Sequence, residues 1–429
     1  MADFVVPRAP SPIRGTFDVP PSKSIAQRAL ALAALSDAPT ELVGAGLLPD
    51  DVARFATAVR LLAGASARTD GAMPGGWTAW GLGGGRSPLR LDLGMNGTGF
   101  RFAIALSGLR PVGARTLVTG RPRLRARPHG GLLRALTRLG AHARRRSSGA
   151  VRVLGRPWAR HDVDVRADVS SQYVSALLLA APRAGGLCVR TGEHAVSRGY
   201  VELTASVLEA FGIPVAIEGG TITVAAGAPC AARFVIEPDA SSAAVWWTLA
   251  ALSGGRAAVR GLPAASRQPD VALLEILRRM GAGVTEEGGG VVVTASPGRL
   301  RAPGDVDLRD APDLAPLVAV LAARAEGETR VVGAPHLRFK ESDRIGSLAR
   351  ALVAVGADVT ATDDGFRVRP GPAVPRARID TAGDHRLALA FGALGVAQGG
   401  VVLSDASVVS KSYPGFFERC TLLAEAQNP

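Results

Sequence analysis

Ser241-Ser242-Ala243-Ala244-Val245-Trp246-Trp247-Thr248-Leu249-Ala250-Ala251-Leu252 decides how the rest of the chain is read. A small polar turn opens a helix that is apolar nearly all round, and a helix without a polar face is a buried one. The same pattern opens six times, at Ser22-Lys23-Ser24, Asn96-Gly97-Thr98, Ser170-Ser171-Gln172, Ser241-Ser242, Asp313 and Asp384-His385-Arg386. Successive openings lie 74, 74, 71, 72 and 71 residues apart. Between them a second, amphipathic helix ends five times at a glycine: Gly64, Gly140, Gly212, Gly281 and Gly356. A sixth such helix fits at residues 420–427. After most of these glycines come a short strand, a Gly/Asp/Ser turn and another strand, as at 283–285 with 291–294 and 358–360 with 366–368. Each unit therefore reads β-α-β-α-β-β. Six units account for the 429 residues, giving an α/β (α+β) chain of two lobes with three units each.

The openings carry Ser, Asn or Asp, residues that cap helices. A helix N-terminus also offers free N–H groups and partial positive charge, which suit phosphate or carboxylate. Six openings in register, with cations beside them, point to an anion site shared by the lobes rather than to caps alone. The cations are themselves selective. Only three lysines occur against 47 arginines, and all three sit in polar turns: Lys23, Lys340 and Lys411. A compact ammonium that can give up a proton is not interchangeable with a planar guanidinium, so these lysines are candidates for chemistry. Lys23 and Arg28 flank the first opening, Arg101 follows the second, residues 121–127 read as an arginine-rich loop ending at Arg127, and Lys340 and Arg344 bracket Glu341 and Asp343. Acids available for proton transfer are Asp51, Asp239, Asp313, Glu341 and Asp384. Asp313 stands out because it opens an apolar helix and would be partly buried.

A net charge of +13 suits an anionic partner. With aromatics at only 5%, a single-strand nucleic-acid binder lacks its stacking platforms. Cys188, Cys230 and Cys420 are too far apart for a metal or disulfide framework and read as small buried or semi-buried residues of a reducing compartment. Residues 1–15 read as neither signal nor anchor, and no stretch is long and apolar enough to span a membrane. The run Gly81-Leu82-Gly83-Gly84-Gly85 has no dinucleotide-binding context, and there is no P-loop or nucleophile elbow.

Taken together, Pro21-Ser22-Lys23-Ser24, Asp50-Asp51, Gly97-Thr98, Arg127-Pro128, Ser170-Ser171-Gln172, Asp239-Ala240-Ser241-Ser242, Pro312-Asp313, Lys340-Glu341-Ser342-Asp343-Arg344, Asp384-His385-Arg386 and Lys411-Ser412-Tyr413-Pro414 resemble, in order, the 3-phosphoshikimate 1-carboxyvinyltransferases, also called 5-enolpyruvylshikimate-3-phosphate synthases. The resemblance spans about residues 15–417 and takes in all three lysines. It implies the two-lobed enolpyruvyl transferase fold, with residues 1–20 plus 240–429 in one lobe, 21–239 in the other, and the site in the cleft. The implied reaction moves the enolpyruvyl group of phosphoenolpyruvate onto the 5-hydroxyl of shikimate 3-phosphate, through a tetrahedral intermediate, without cofactor or metal.

By the same resemblance, shikimate 3-phosphate is held by Lys23, Ser24, Arg28, Ser170, Ser171, Gln172, Ser197, Tyr200, Asp313, His336 and Lys340. Phosphoenolpyruvate is held by Lys23, Gly97, Arg127, Gln172, Arg344, Arg386 and Lys411. Asp313 takes the hydroxyl proton, Glu341 supplies and removes the methylene proton, and Lys23 assists at the leaving phosphate. Met95, Phe102, His129, Gly199 and His336 depart from the usual residues, His336 replacing a substrate-contacting Asn. The expectation is a cytoplasmic monomer acting on small anionic substrates, with no nucleic-acid or membrane partner. Two other readings remain: the sister transferase acting on UDP-N-acetylglucosamine, which usually has a Cys on the loop where residues 121–127 have none, and a basic RNA-binding protein on a related repeat fold.

Overall fold

The computed structural model describes residues 3–9, 12–44, 47–64, 68–69, 77–79, 87–165, 170–192, 197–298 and 300–425. The glycine-rich run at 81–85 and residues 426 and 427 lie outside them. The chain divides into two compact units, Met1–Pro20 with Pro238–Pro429, and Pro21–Glu237.

In the Pro21–Glu237 unit, Leu89–Asp92 runs parallel to Arg115–Thr119, which pairs antiparallel with Val151–Leu154, itself antiparallel to His142–Arg145. The Gly97–Gly108 helix joins the two parallel strands, and the Gly130–Arg138 helix leads into the hairpin. Leu89 and Leu91 are buried while Arg90 and Asp92 are exposed, so one sheet face packs and the other meets water. A second sheet repeats this order with Asp162–Asp164, Leu187–Arg190, Thr221–Val224 and Val215–Glu218. The third takes its first strand, Arg233–Val235, from the far end of the unit and lays it parallel to Thr40–Val43.

The other unit has the matching device. Arg14–Phe17, which precedes the passage at Pro20-Pro21, lies parallel to Arg256–Val259. Asp305–Asp307, Thr329–Val332, Phe366–Arg369 and Asp358–Ala361 form its second sheet. The sixth sheet has three strands among the described residues. Ala377–Ile379 is parallel to Val401–Leu403, and the place of a hairpin is taken by Phe4–Val5, antiparallel to Val401–Leu403.

The apolar helices Lys23–Ala33, Gly97–Gly108 and Gln172–Ala180 meet in the core of one unit, and Ala240–Ser253, Ala315–Ala322 and His385–Gln398 in the core of the other. Trp246 and Trp247 are fully buried. Trp246 stacks on Phe17 at 4.0 Å and donates its indole N–H to the Tyr413 hydroxyl at 2.7 Å. Truncating such a ring to alanine costs about 3–5 kcal/mol.

Gly64, Gly140, Gly212, Gly281 and Gly356 have φ of 73°, 87°, 76°, 92° and 89°. Each closes a helix in a conformation that a Cβ disfavours, which is why the repeat is punctuated by glycine. The openings divide. Ser22 accepts from the Ile25 amide at 3.4 Å, Asn96 from Gly99 at 2.7 Å and Asp384 from Arg386 at 3.0 Å. At the fourth opening the cap is Asp239, accepting from the Ser242 amide at 2.8 Å, and not Ser241. Asp313 is not at the cap position of its helix; it lies in the 3-10 turn Pro312–Leu314 before Ala315–Ala322, and distant arginines bind its carboxylate. The arginine run is no plain loop either: Pro122–Ala126 is a short helix, started by Pro at its first position. Cys230 is exposed, Cys188 half-buried and Cys420 buried.

Candidate active site

The expected site residues fall into two sets, one in each unit. In the Pro21–Glu237 unit the first turn of the Lys23–Ala33 helix presents Lys23, whose ammonium lies 3.3 Å from Asp51 Oδ2 in the first turn of Asp50–Ala63. Asn96 fixes that turn by donating to the Asp51 carbonyl at 2.7 Å. Five residues beyond Lys23 on the same helix, Arg28 is 2% exposed. It donates to Thr204 Oγ1 at 2.8 Å, the Ser24 carbonyl at 2.8 Å, the Tyr200 carbonyl at 3.0 Å and Ser175 Oγ at 3.4 Å. Its guanidinium also lies over the rings of Phe102, at 5.6 Å, and Tyr200, at 6.0 Å. All these partners are neutral. Burial pulls its pKa down to about 10, opposed by Tyr200, and it stays charged at neutral pH.

Arg101 binds Gln172 Oε1 at 2.5 Å, the Pro128 carbonyl at 3.0 Å and the Gly97 carbonyl at 3.2 Å. It thereby ties together the openings at Gly97 and Gln172 and the turn after Arg127. A Cβ on Gly97 would fall 2.6 Å from Arg127 Nη1 and 3.2 Å from Arg101 Nη1. A side chain here would force the Arg127 guanidinium to shift. Ser170 accepts from the Gln172 amide at 3.3 Å, and Ser171 is buried. Ser197, at the start of Arg198–Ala210, is held left-handed at φ 59°, a strained state for a residue with a Cβ.

The second set forms one interlocked ion cluster. Arg344, 1% exposed, spans three carboxylates: Asp313 at 2.7 Å, Asp384 at 2.8 Å and Glu341 at 2.9 Å. Asp384 is thus cap and counter-charge at once, and Ser342 donates to it at 3.1 Å. Lys411 binds the other oxygen of Glu341 at 2.7 Å. Asp313 also receives Arg386 at 2.7 Å and faces Lys340 at 3.7 Å. Burial pushes the Asp313 carboxyl up, but Arg386, Lys340 and Arg344 outweigh it and hold it well below the usual carboxylate range. His336 is buried in the same cluster. Burial, with Lys340 and Arg344 against Asp313, takes its pKa down to about 3, so the imidazole is neutral. A neutral ring can both donate and accept, as an Asn side chain can.

A family model described as EPSP synthase (3-phosphoshikimate 1-carboxyvinyltransferase) matches residues 7–420. The chain belongs to this family.

It is 41% identical over 414 residues to the 3-phosphoshikimate 1-carboxyvinyltransferase of Methanopyrus kandleri, across 95% of each chain. It is 37% identical over 424 residues to that of Halobacterium salinarum, across 96% of each. Its structure is similar to the EPSP synthase from Acinetobacter baumannii, with a TM-score of 0.77 at 26% identity over 99% of this chain and 98% of that one. EPSP synthase activity, a transferase step of the shikimate pathway, is therefore the function of the chain, and neither the UDP-N-acetylglucosamine acceptor nor the RNA-binding reading is favoured.

Within this EPSP synthase the structure adds residues that spacing did not single out. Ser175 lies on an apolar helix and Thr204 on an amphipathic one, and both read as ordinary helix positions, yet they hold Arg28. Asp270 follows Gln268-Pro269 in an unremarkable turn, yet it faces Arg386 at 3.6 Å.

Proposed function

We propose that the two sets of residues divide the work of the EPSP synthase reaction. Shikimate 3-phosphate is held by Lys23, Ser24, Arg28, Ser170, Ser171, Gln172, Ser197 and Tyr200, with Asp313, His336 and Lys340 at the reacting hydroxyl. Phosphoenolpyruvate is held by Lys23, Gly97, Arg127 and Gln172, with Arg344, Arg386 and Lys411. Asp313 accepts the 5-hydroxyl proton as that oxygen bonds to C2 of phosphoenolpyruvate. Glu341, protonated once the anion has drawn Arg344 and Lys411 from its carboxylate, gives that proton to the methylene carbon, making the methyl group of the tetrahedral intermediate. Glu341 then takes a methyl proton back, the C–O bond to phosphate breaks, and Lys23 stabilises the departing charge.

One observation carries this reading. Asp313 and Glu341 are bound by the same guanidinium, that of Arg344, at 2.7 and 2.9 Å. A carboxylate held by three cations is a weak base. An anion that draws Arg344 and Arg386 to itself leaves Asp313 more basic, so the base is strengthened when the second substrate binds. The expected protein is a cytoplasmic monomer; among the described residues no helix is long and apolar enough to cross a membrane.

Phosphate release from phosphoenolpyruvate, measured with and without shikimate 3-phosphate, tests the proposal. Release that depends on shikimate 3-phosphate, and that is lost in Asp313→Asn and Glu341→Gln, supports it. Turnover with UDP-N-acetylglucosamine instead, or full rates in both variants, overturns it.

A further inference from the structure

Arg386 is shared between two carboxylates. Its Nη2 donates to Asp313 Oδ2 at 2.7 Å and to Ser241 Oγ at 3.3 Å, while Nη1 faces Asp270 Oδ2 at 3.6 Å. The Ser241 hydroxyl in turn donates to Asp270 Oδ2. Asp270 is 2% exposed. Its turn, Pro269–Ala272, is clamped to the start of the Ala240–Ser253 helix, because Gln268 accepts from the Ala240 amide at 3.0 Å and donates to the Pro238 carbonyl at 2.8 Å. Asp270 and Ser241 therefore form one rigid platform beneath the guanidinium, and Asp313 approaches it from a separate turn.

We propose that Asp270 is the positioning residue of Arg386, the counter-charge that keeps the guanidinium in place when Asp313 releases it to the anionic substrate. The inference rests on the assignment of Arg386 to phosphoenolpyruvate. A buried arginine with a single carboxylate partner would have to abandon that partner entirely to take up an anion. With Asp270 and Ser241 behind it, Arg386 changes one partner and stays oriented by the other. The groups facing Asp270 are Arg386 on the His385–Gln398 helix, Asp313 on its turn and Asp239 at the cap of Ala240–Ser253. Burial, Asp313 and Asp239 push its carboxyl up, against Arg386 and Ser241, to about 6. Its charge is then present above about pH 6 and lost below. A carboxyl raised on folding contributes stability while protonated and costs stability once ionised, so at neutral pH Asp270 serves binding at the expense of the fold.

Steady-state kinetics and thermal melting of Asp270→Asn, Ser241→Ala and Arg386→Gln test this. Asp270→Asn should raise KM for phosphoenolpyruvate about tenfold, the low end of what losing a charged partner costs. KM for shikimate 3-phosphate should stay within about twofold and kcat within about threefold. Ser241→Ala should shift KM for phosphoenolpyruvate the same way by about threefold. At neutral pH Asp270→Asn should melt no lower than the unmodified enzyme. KM for phosphoenolpyruvate should climb below about pH 6 more steeply in the unmodified enzyme than in Asp270→Asn; the phosphate's own ionisation, near pH 6, is common to both. An unchanged or lower KM for phosphoenolpyruvate in Asp270→Asn, while Arg386→Gln raises it, overturns the inference and spares the site assignment. A lower melting temperature with both KM values raised assigns Asp270 a purely structural role and also overturns it. If Arg386→Gln itself leaves KM for phosphoenolpyruvate alone, the assignment beneath falls and takes the inference with it. Should Asp270→Asn not fold, Ser241→Ala decides by the same readouts.

Discussion

The two sets of site residues are both rich in cations, and they balance them differently. In the unit containing Pro238–Pro429, Lys340, Arg344, Arg386 and Lys411 each pair with a carboxylate drawn from Asp270, Asp313, Glu341 and Asp384. In the Pro21–Glu237 unit, Lys23 pairs with Asp51, while Arg28 meets only neutral oxygens and aromatic rings among the described residues. A compensated cation accepts an anion only by exchanging partners, and the exchange changes the basicity of the carboxylate left behind. An uncompensated buried cation has already lost its water, so an arriving phosphate has less to displace. The first arrangement couples binding to proton transfer; the second is built for holding.

The comparison breaks most visibly at Asp313. Asp313→Asn removes the base and takes one carboxylate from each of three cations, so kcat should fall by about 10³-fold, while KM for phosphoenolpyruvate should fall as well. Phosphate-release kinetics read both; a raised KM would mean that the carboxylate does not compete with substrate. Next in size is Lys23→Arg, which keeps the charge beside Asp51 but replaces a compact donor with a fork. Turnover should drop by about 10²-fold, and near-normal turnover would show that this position needs charge alone. Gly97→Ala should be milder. Its methyl would meet Arg127 at 2.6 Å, so the guanidinium must yield. KM for phosphoenolpyruvate should then rise about 5- to 30-fold, as a misplaced contact costs roughly 1–2 kcal/mol, and inhibition by the phosphoenolpyruvate-competing glyphosate should weaken. If glyphosate inhibition weakens while KM stays constant, the methyl meets the ligand and not Arg127.

The smallest effect has one residue in each unit. His129 is buried, donates from Nε2 to the Leu124 carbonyl at 3.0 Å and lies 4.6 Å from the Phe100 ring. Burial first, then Arg101, takes its pKa down to about 3, and His336 is lowered as far, also chiefly by burial. Groups whose folded pKa is depressed to this extent stabilise above the unfolded value near 6.5 and lose that contribution as pH falls below it. Stability should therefore decline by about 1 kcal/mol per residue per pH unit below roughly 6.5. Denaturant melts of the His129→Ile, His336→Asn double variant should show a flatter profile.

Much of this was legible along the chain. The glycines at the ends of the second helices announce themselves because left-handed backbone tolerates little else. The motif lysines stand out because arginine serves everywhere else. Contacts decided in three dimensions were not legible. Ser241 looks like a cap, but Asp239 reaches the free amide and leaves Ser241 to Asp270. Asp313 looks like a cap because it precedes an apolar helix, but arginines 31 and 73 residues away claim its carboxylate. The opening strands Arg14–Phe17 and Arg233–Val235 are separated from their helices by whole units of sequence, so local pattern could not assign them.

Calorimetric titration of shikimate 3-phosphate, without phosphoenolpyruvate, into the unmodified enzyme, Arg28→Gln and Arg386→Gln tests the division of labour most directly. Loss of a charge-assisted contact predicts affinity weakened about 10- to 100-fold in Arg28→Gln, and within twofold of normal in Arg386→Gln. Equal weakening in both, or none in Arg28→Gln, would contradict the account.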